Sequence, residues 1–385
     1  MFEMSDRMKK IPPYLFVEID KKKKKLIEEG EDVIDFGVGD PDIPTPENIV
    51  EAMREYVKRP AFHRYPLGRG NIEFRKAIAS FYEENYGVKL DPENEICVLI
   101  GSKEGIAHFP LCFINPGDYS LVPEPAYPVY KIGTILAGGE VYFLPLTEEN
   151  NFLPDLSKIP QNMLEKSKIL YLNYPNNPTS SCATEDFLKE AINFCKKNNI
   201  ILVYDAAYSE IYYDKKPVSF LSIPGAKDIG IEFNSLSKTF NMTGWRVGWA
   251  CGNRELVSLL SKVKENIDSG VFEAIQFAGI EALTNSKESI LKMREIYGRR
   301  MNLFVNGLKN IGFDVRFPDG TFYLWLKVKR NSIEFVDYLL EKGKIIATPG
   351  IGFGPSGENF VRFSLTISEE KIRKALERIK GIWEK

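Results

Sequence analysis

Histidine and cysteine are scarce in this chain, and neither occurs in a pattern that is typical of a metal site. Its 385 residues include two histidines and five cysteines, and no two cysteines form a CxxC pair. A zinc site needs clustered Cys or His ligands, and a disulfide framework needs an even set of cysteines. The sequence therefore argues against both, and free thiols are typical of the reducing cytosol.

Long apolar runs, net charge and internal repeats are also missing. No apolar run approaches the roughly 18 residues that span a bilayer, and the first ten residues, MFEMSDRMKK, lack the apolar stretch of a signal peptide. The formal net charge is −2, which gives no general attraction to nucleic acid or to a membrane. We therefore expect a cytoplasmic protein that acts on small molecules.

The middle of the chain alternates helical and strand-like patterns. Near-continuous apolar runs of about 4–8 residues that are separated by helices are typical of parallel strands covered on both faces. The predicted strands are residues 96–100, 119–122, 141–144, 168–172, 200–204, 229–233 and 247–251. These runs predict an α/β domain over residues 46–285, with a mostly parallel sheet flanked by helices.

The pattern changes after residue 285. The predicted elements there are a helix at 286–310, strands at 314–317 and 321–328, a helix at 332–341, a strand at 359–365 and a helix at 369–383. Strands and helices without strict alternation indicate an α+β unit. We expect residues 1–45 to pack with this part, so that residues 1–45 and 286–385 form a second, smaller domain.

Lys238 follows a strand-like run, in the segment NSLSK at residues 234–238. A lysine amine presented at a strand end can form an imine with an aldehyde cofactor. Ser235, Ser237 and Arg246 lie close by in the sequence and are suited to holding a phosphate, because arginine supplies bidentate donors and serine supplies neutral ones. Taken alone, the segment is more typical of an exposed lysine.

Two further segments carry groups suited to an aromatic ring with a basic nitrogen. Asp205 ends an apolar strand, where the ligand sites of α/β sheets collect, and a carboxylate buried there needs a positive partner such as a pyridinium nitrogen. Tyr208 and Asn177 could donate hydrogen bonds to a ring oxygen. The alternatives are a helix N-cap for Asp205 and a plain turn for the segment around Asn177.

Three more positions are candidates for binding. Ser102 lies where a strand-like run passes into a helix, which is a ready anion site, although a capped turn would look the same. Tyr127 could stack on an aromatic cofactor or belong to the core. Arg362 lies inside an apolar strand and needs an anion there, either a substrate carboxylate or a structural ion-pair partner.

Taken together and in this order, the segments resemble the class I and II aminotransferases of the pyridoxal phosphate (PLP) fold-type I superfamily. The resemblance runs from GVGDPDIPTP at residues 37–46 to the strand of Arg362. Each motif is unspecific by itself, but the ordered set is highly specific. The resemblance implies a transaminase (EC class 2.6.1) with pyridoxal 5'-phosphate as cofactor and with amino-acid and 2-oxo-acid substrates.

The resemblance also implies a role for each position. Lys238 carries the cofactor as a Schiff base and moves the proton, Asp205 pairs with the pyridine nitrogen, and Tyr208 contacts the ring oxygen. The other implied cofactor contacts are Ser102, Lys103, Tyr127, Asn177, Ser235, Ser237 and Arg246. The implied substrate contacts are Tyr14, Gly39, Lys103, Asn177 and Arg362. Tyr65 is implied to reach the phosphate of a partner subunit, which means a homodimer with shared active sites.

Within the superfamily, five phrases are most similar to the LL-diaminopimelate aminotransferases: PYLF, GSKEGIAHFP, PAYPVY, NYPNNPTS and SLSKTFNMTGWR. They imply amino transfer between LL-diaminopimelate and 2-oxoglutarate in lysine biosynthesis, with ping-pong kinetics through the Lys238 aldimine and pyridoxamine phosphate. The chain departs from the pattern at Ser180, where a glycine is usual. It also has Gly68-Arg69-Gly70 and Ser269 where the plant-type enzymes keep a glutamate and an asparagine.

Other activities stay open at this stage. Lys103 also matches a lysine that binds the side-chain carboxylate in some bacterial aspartate aminotransferases, so an aspartate or an alanine/glutamate aminotransferase is an alternative. Residues 265–273 lack the arginine of the animal-type aspartate enzymes. A PLP lyase and a non-catalytic sensor of PLP or amino acids belong to other classes. A dinucleotide-binding fingerprint is absent, because no third glycine follows Gly37-Val38-Gly39.

Overall fold

The computed structural model describes residues 2–12 and 15–383. The α-helices found in these residues are α1 Asp6–Lys9, α2 Leu15–Glu28, α3 Glu47–Tyr56, α4 Ile72–Tyr86, α5 Ser102–His108, α6 Val129–Leu136, α7 Gln161–Leu164, α8 Glu185–Asn198, α9 Ala226–Ile229, α10 Leu236–Thr239, α11 Arg254–Glu265, α12 Glu273–Asn285, α13 Lys287–Ile311, α14 Ser332–Gly343 and α15 Glu369–Trp383. The strands are β1 Ile34–Asp35, β2 Ile96–Leu99, β3 Tyr119–Glu124, β4 Glu140–Pro145, β5 Ser167–Asn173, β6 Ile201–Asp205, β7 Gly230–Ser235, β8 Gly248–Gly252, β9 Tyr323–Lys327, β10 Ile345–Ile346, β11 Thr348–Pro349 and β12 Phe360–Ser364. No helix within the described ranges is long and apolar enough to span a bilayer.

The central sheet has seven strands in the order β2-β8-β7-β6-β5-β3-β4. The neighbours from β7 to β4 are parallel, whereas β8 runs antiparallel to both β2 and β7. Helices connect the parallel strands, because a parallel pair needs a crossover. The predicted α/β class with a mostly parallel sheet is therefore confirmed.

The register of the parallel strands decides where the site forms. Asn173 at the end of β5 lies opposite Asp205 at the end of β6, and Asp205 lies opposite Phe233 near the end of β7. The C-terminal ends of β5, β6 and β7 therefore meet at one edge of the sheet, and Lys238 follows directly after β7. This edge is where ligands bind in open parallel sheets.

A smaller sheet has the order β11-β12-β9, and β1 pairs in parallel with β10. The strand predicted at 314–317 is wrong, since these residues form no strand. Both neighbours of the buried Val315 are exposed, and the only ladder partner of β9 among the described strands is β12, so residues 314–317 do not join the sheet. The short strand β1 was not predicted, because two residues show no periodicity.

A second hydrophobic core lies between the smaller sheet and helices α13 and α15. Phe36, next to β1, stacks on Phe304 of α13 with ring centroids 5.1 Å apart and meets Phe363 of β12 at 5.6 Å. Burial of three aromatic rings together is a large stabilising contribution. This core supports our proposal that residues 1–45 and 286–385 form a small domain and residues 46–285 a large one.

Glu232 is a carboxyl group buried in the large sheet that is not among the predicted site residues. Glu232, in β7, is 1% exposed and accepts hydrogen bonds from the hydroxyls of Tyr82 at 2.6 Å and Ser219 at 3.3 Å. Burial raises the pKa of this carboxyl to about 7, and the two donors offset only part of that rise. The folded chain therefore keeps a proton that the unfolded chain releases near pH 4.5.

Glu232→Gln is expected to gain stability relative to the natural chain as the pH rises from 5 to 8, by on the order of 3 kcal/mol. The raised folded-state pKa means that folding takes up a proton between pH 4.5 and 7, so the natural chain loses stability over that interval. The amide of the variant does not titrate. Melting temperatures at several pH values measure the difference, with Glu84→Gln on the surface of α4 as control. A difference that stays constant from pH 5 to 8 would show that Glu232 is not protonated.

Candidate active site

A cavity of about 370 Å³ opens at the carboxyl edge of the large sheet. Twelve of the fourteen predicted site residues line it: Gly39, Ser102, Lys103, Tyr127, Asn177, Asp205, Tyr208, Ser235, Ser237, Lys238, Arg246 and Arg362. The other two do not. Tyr65 is 90% exposed and does not line the cavity, and Tyr14 lies outside the described residues.

Lys238 is placed by the turn from β7 into α10. The hydroxyl oxygen of Ser235 caps this short helix by accepting a hydrogen bond from the Ser237 backbone N–H at 3.1 Å. The Lys238 amine donates to the backbone oxygen of Gly39 at 2.7 Å. Burial lowers the pKa of the ammonium to about 8, against a smaller opposing effect of Asp40. About a tenth of the amine is then neutral at pH 7, which is what a nucleophile requires.

Asp205 is buried at the end of β6 and is held by neutral donors. The Tyr130 hydroxyl donates to Oδ2 at 2.8 Å, and the Ala207 backbone N–H donates to Oδ1 at 3.1 Å. Burial raises the pKa of the carboxyl to about 6. A cationic ring nitrogen beside it would favour the ionised carboxylate. The alternative of a helix N-cap is wrong, because residues 207–210, which follow Asp205, form a turn and not a helix.

The start of α5, with Gly101 and Ser102, lies against the segment of Arg246 and Gly248, and together these groups are suited to binding a small anion. Helix α5 begins at Ser102, which lines the cavity, and the first N–H groups of a helix have no carbonyl partner within it. A Cβ at Gly101, whose φ is +76°, would lie 2.5 Å from Nη2 of Arg246, and a Cβ at Gly248 would lie 2.9 Å from the Ser102 nitrogen. The backbone here packs directly against the guanidinium. Arg246 donates to the Thr243 backbone oxygen at 2.7 Å, which orients its charge.

The two serines predicted to bind phosphate also serve the local turn. The Ser235 hydroxyl lies within donating distance of the Ser237 hydroxyl at 2.9 Å and the Val247 backbone oxygen at 3.1 Å. The Lys103 amine, which also lines the cavity, lies 5.6 Å from the centroid of the Tyr127 ring. Tyr127 itself is half-buried, with one side toward the cavity.

Arg362, on β12, closes the other side of the cavity and is 1% exposed. Its Nη1 donates to the Asn177 side-chain oxygen at 2.8 Å and its Nη2 to the Gly37 backbone oxygen at 2.9 Å. Both oxygens are neutral, so they orient the guanidinium without neutralising its charge. Asn177 uses its oxygen in this contact, and its NH2 group is the part that can donate into the cavity.

Several lining residues were not predicted. Tyr130 holds Asp205, and Tyr323 lies next to both Tyr208 and Arg362. Asn173 donates to the Asp205 backbone oxygen at 2.9 Å and accepts from the Asn177 backbone N–H at 2.9 Å. Asn173 had a signal, since it directly follows the strand predicted at residues 168–172 and lies four residues before Asn177. The two tyrosines lie in apolar runs, where nothing distinguishes them from core residues.

These groups fit pyridoxal phosphate. The cavity combines a half-buried amine of lowered pKa, a buried carboxyl that accepts hydrogen bonds from neutral donors, and an aromatic side chain on one wall. It also has an arginine packed against a glycine backbone at a helix start, a combination of groups that suits a phosphate. An aldehyde, a basic ring nitrogen, a flat ring and a phosphate each find a matching group.

Comparisons with known proteins agree with this fit. The profile of the family described as Aminotransferase class I and II matches residues 31–379. The LL-diaminopimelate aminotransferase of Halothermothrix orenii is 55% identical over 382 residues, which cover 98% of each chain.

Solved structures show the same fold. Substrate-bound BacF from Bacillus subtilis superposes with a TM-score of 0.95 at 39% identity, over 99% of this chain and 98% of that one. An aspartate aminotransferase mutant from Thermus thermophilus superposes with a TM-score of 0.92 at 29% identity, over 99% and 100% of the two chains. The predicted resemblance and PLP fold type I are confirmed. The chain therefore belongs to the class I and II aminotransferases and works with pyridoxal 5'-phosphate.

Proposed function

We propose that this chain is an LL-diaminopimelate:2-oxoglutarate aminotransferase of lysine biosynthesis. The observation that carries the transamination chemistry is that Lys238, Asp205 and Arg362 line one cavity although they come from three separate segments. The choice of substrate rests on the relative from Halothermothrix orenii, whose 55% identity extends over 98% of both chains.

The proposed roles follow from the contacts described above. PLP supplies an electron sink that makes the substrate Cα–H acidic. Lys238 takes the proton from Cα as a neutral base and returns it as an acid, because burial keeps its ammonium pKa near neutrality. Asp205 keeps the ring nitrogen protonated, and Tyr208 donates to the ring oxygen. Burial raises the pKa of the Tyr208 hydroxyl, so that it remains a donor at neutral pH.

Cofactor and substrate would be held at opposite sides of the cavity. Ser102, Lys103, Ser235, Ser237 and Arg246 surround the phosphate end, and Tyr127 stacks on the ring. At the other side, Gly39, Asn177 and Arg362 bind the substrate α-carboxylate. The planar guanidinium matches a carboxylate in two parallel hydrogen bonds. Lys103 and Tyr14 are the proposed contacts for the rest of the substrate.

Tyr65 supports a homodimer with shared active sites. Its side chain is 90% exposed, and Leu67 and Ile267 nearby are 68% and 52% exposed. The segments of Leu67 and Ile267 pack together, since a Cβ at Gly270 would lie 3.0 Å from the Leu67 backbone oxygen. Exposed apolar groups gathered in one region mark an interaction surface. Sedimentation that finds only a 43.9 kDa species at micromolar concentration would exclude the dimer.

We place the enzyme in the cytoplasm. All five cysteines are free, and three of them are buried. Unpaired thiols are maintained in a reducing compartment. Cell fractionation that recovers the protein outside the cytoplasm would contradict this location.

An aspartate aminotransferase is the second candidate, favoured by the likeness to the Thermus thermophilus enzyme and by the amine of Lys103 at the cavity wall. We expect kcat/KM for LL-diaminopimelate to exceed that for L-aspartate by at least about tenfold, since a site built for a distal polar group rejects a shorter substrate. Initial rates with 2-oxoglutarate as acceptor measure both. The reverse order would assign the chain to aspartate. Substrate consumption without glutamate formation would indicate a lyase, and no turnover at all a sensor.

A further inference from the structure

Tyr323 lies between the two halves of the active site. It is the first residue of β9 and is 2% exposed. Its hydroxyl is 2.9 Å from the hydroxyl of Tyr208, on the side proposed for the ring oxygen. On the carboxylate side, its ring centroid is 4.2 Å from Cζ of Arg362, and a Cβ at Gly39 would lie 2.1 Å from its hydroxyl oxygen. One side chain therefore touches a proposed cofactor contact and two proposed substrate contacts.

The number of protons in this pair fixes the direction of the hydrogen bond. Each tyrosine has one proton, and either hydroxyl could donate to the other. Tyr208 can donate to the cofactor only if its own proton points into the cavity, so Tyr323 must then be the donor in the bond between them. We propose that Tyr323 is a positioning residue, which holds Tyr208 as a donor toward the ring oxygen of the cofactor. This inference rests on the proposed function.

Hydrogen bonds to Ser180 and Thr321 fix the backbone of Tyr323, and the backbone of Ser180 has an unusual conformation. Ser180 has a φ of +63°, in the left-handed region that favours glycine. Its hydroxyl lies 2.9 Å from the Tyr323 backbone oxygen and 2.7 Å from the Thr321 hydroxyl, and the Tyr323 N–H donates to that Thr321 hydroxyl at 2.9 Å. Ser180 adopts a strained conformation beside the site and makes these contacts there, which indicates that they hold β9, and with it Tyr323, in position.

Tyr323→Phe removes only the hydroxyl and keeps the ring against Arg362. We expect kcat to fall about threefold to tenfold, the effect of one hydrogen bond, while KM stays within about twofold. The midpoint of the pH titration of the bound cofactor's visible absorbance should rise by about half a unit, because the ring oxygen loses part of its donor. The titration is a spectrum and not a rate, and a purely structural role for Tyr323 would not move it.

Tyr297→Phe is the matched control. Its hydroxyl is buried in the same aromatic cluster, but finds no hydrogen-bond partner among the residues that the structure describes, so its removal should leave the titration unchanged. In a Tyr208→Phe background, Tyr323→Phe should add nothing further to the shift, since it acts through Tyr208. A full extra shift there would overturn the inference.

Ser180→Gly gives an independent test that leaves every tyrosine in place. Glycine accepts the positive φ but removes both hydroxyl contacts, and the midpoint should shift upward as in Tyr323→Phe, by a smaller amount. Different outcomes would refute the proposed function and the role of Tyr323. A natural chain with neither a cofactor band nor amino transfer would refute the proposed function. A natural chain that has both, with Tyr323→Phe indistinguishable from Tyr297→Phe, would refute only the role of Tyr323.

Discussion

Replacing Lys238 by alanine is expected to lower kcat by about 10³-fold or more. The side chain is half-buried in the cavity wall, and its low ammonium pKa gives it the proton-transfer role. Positioned general acid–base groups contribute about 10²–10⁴-fold, and the covalent attachment of the cofactor is lost as well. Single-turnover and steady-state rates with LL-diaminopimelate and 2-oxoglutarate measure the loss.

The chemical assignment of Lys238 has its own readout. Borohydride treatment of the cofactor-loaded natural chain should fix the cofactor on the peptide that contains Lys238, and the alanine variant should incorporate none. Lys262→Ala, on the exposed face of α11, is the matched control and should behave as the natural chain does. Reduced cofactor recovered on a different peptide would contradict the assignment.

The pH dependence of cofactor loading gives a further check on the same group. Since the pKa of Lys238 is lowered to about 8, the neutral amine should grow about tenfold for each unit of pH below 8 and level off above it. The loading rate should follow this curve once the titration of PLP itself is corrected for. A rate that keeps rising to pH 10 would mean that burial does not lower the pKa of Lys238.

Sequence patterns were sufficient for the sheet and for most of the site because both depend on local features. The apolar runs between helices predicted every strand of the large sheet, each within a few residues of its observed bounds. Chemical groups placed at strand ends, such as Asp205 and Lys238, are brought together by parallel register alone. For these residues, local sequence and fold class together determine the position.

The contacts that sequence could not predict join distant segments. Tyr130 reaches Asp205 across 75 positions, and Tyr323 reaches Tyr208 across 115. In the sequence, these two tyrosines cannot be told apart from core aromatics, because their partners lie far away along the chain. Tyr65 shows a different limit, because its predicted function depends on a second subunit and its own chain leaves it exposed.

Arg362→Leu is expected to lower kcat/KM by about 10²–10³-fold for both substrates, with little effect on cofactor binding. A buried, hydrogen-bonded charge pair is worth about 2–5 kcal/mol when one partner is removed, and both the amino donor and the oxo-acid acceptor carry an α-carboxylate. Arg362→Lys should recover only part of this, because an ammonium lacks the planar fork. A loss smaller than about threefold in the leucine variant would mean that the carboxylate binds elsewhere.

Arg300 is the control that separates recognition from structure. It is 5% exposed, as buried as Arg362, but its guanidinium makes two hydrogen bonds to the carboxylate of Asp42 at 2.7 and 2.8 Å. The charge of Arg300 is therefore paired with Asp42 outside the cavity, whereas Arg362 lines the cavity. Arg300→Leu should lower the melting temperature because it leaves Asp42 without its partner. It should change KM much less than Arg362→Leu does, since the charge it removes faces the protein and not the substrate.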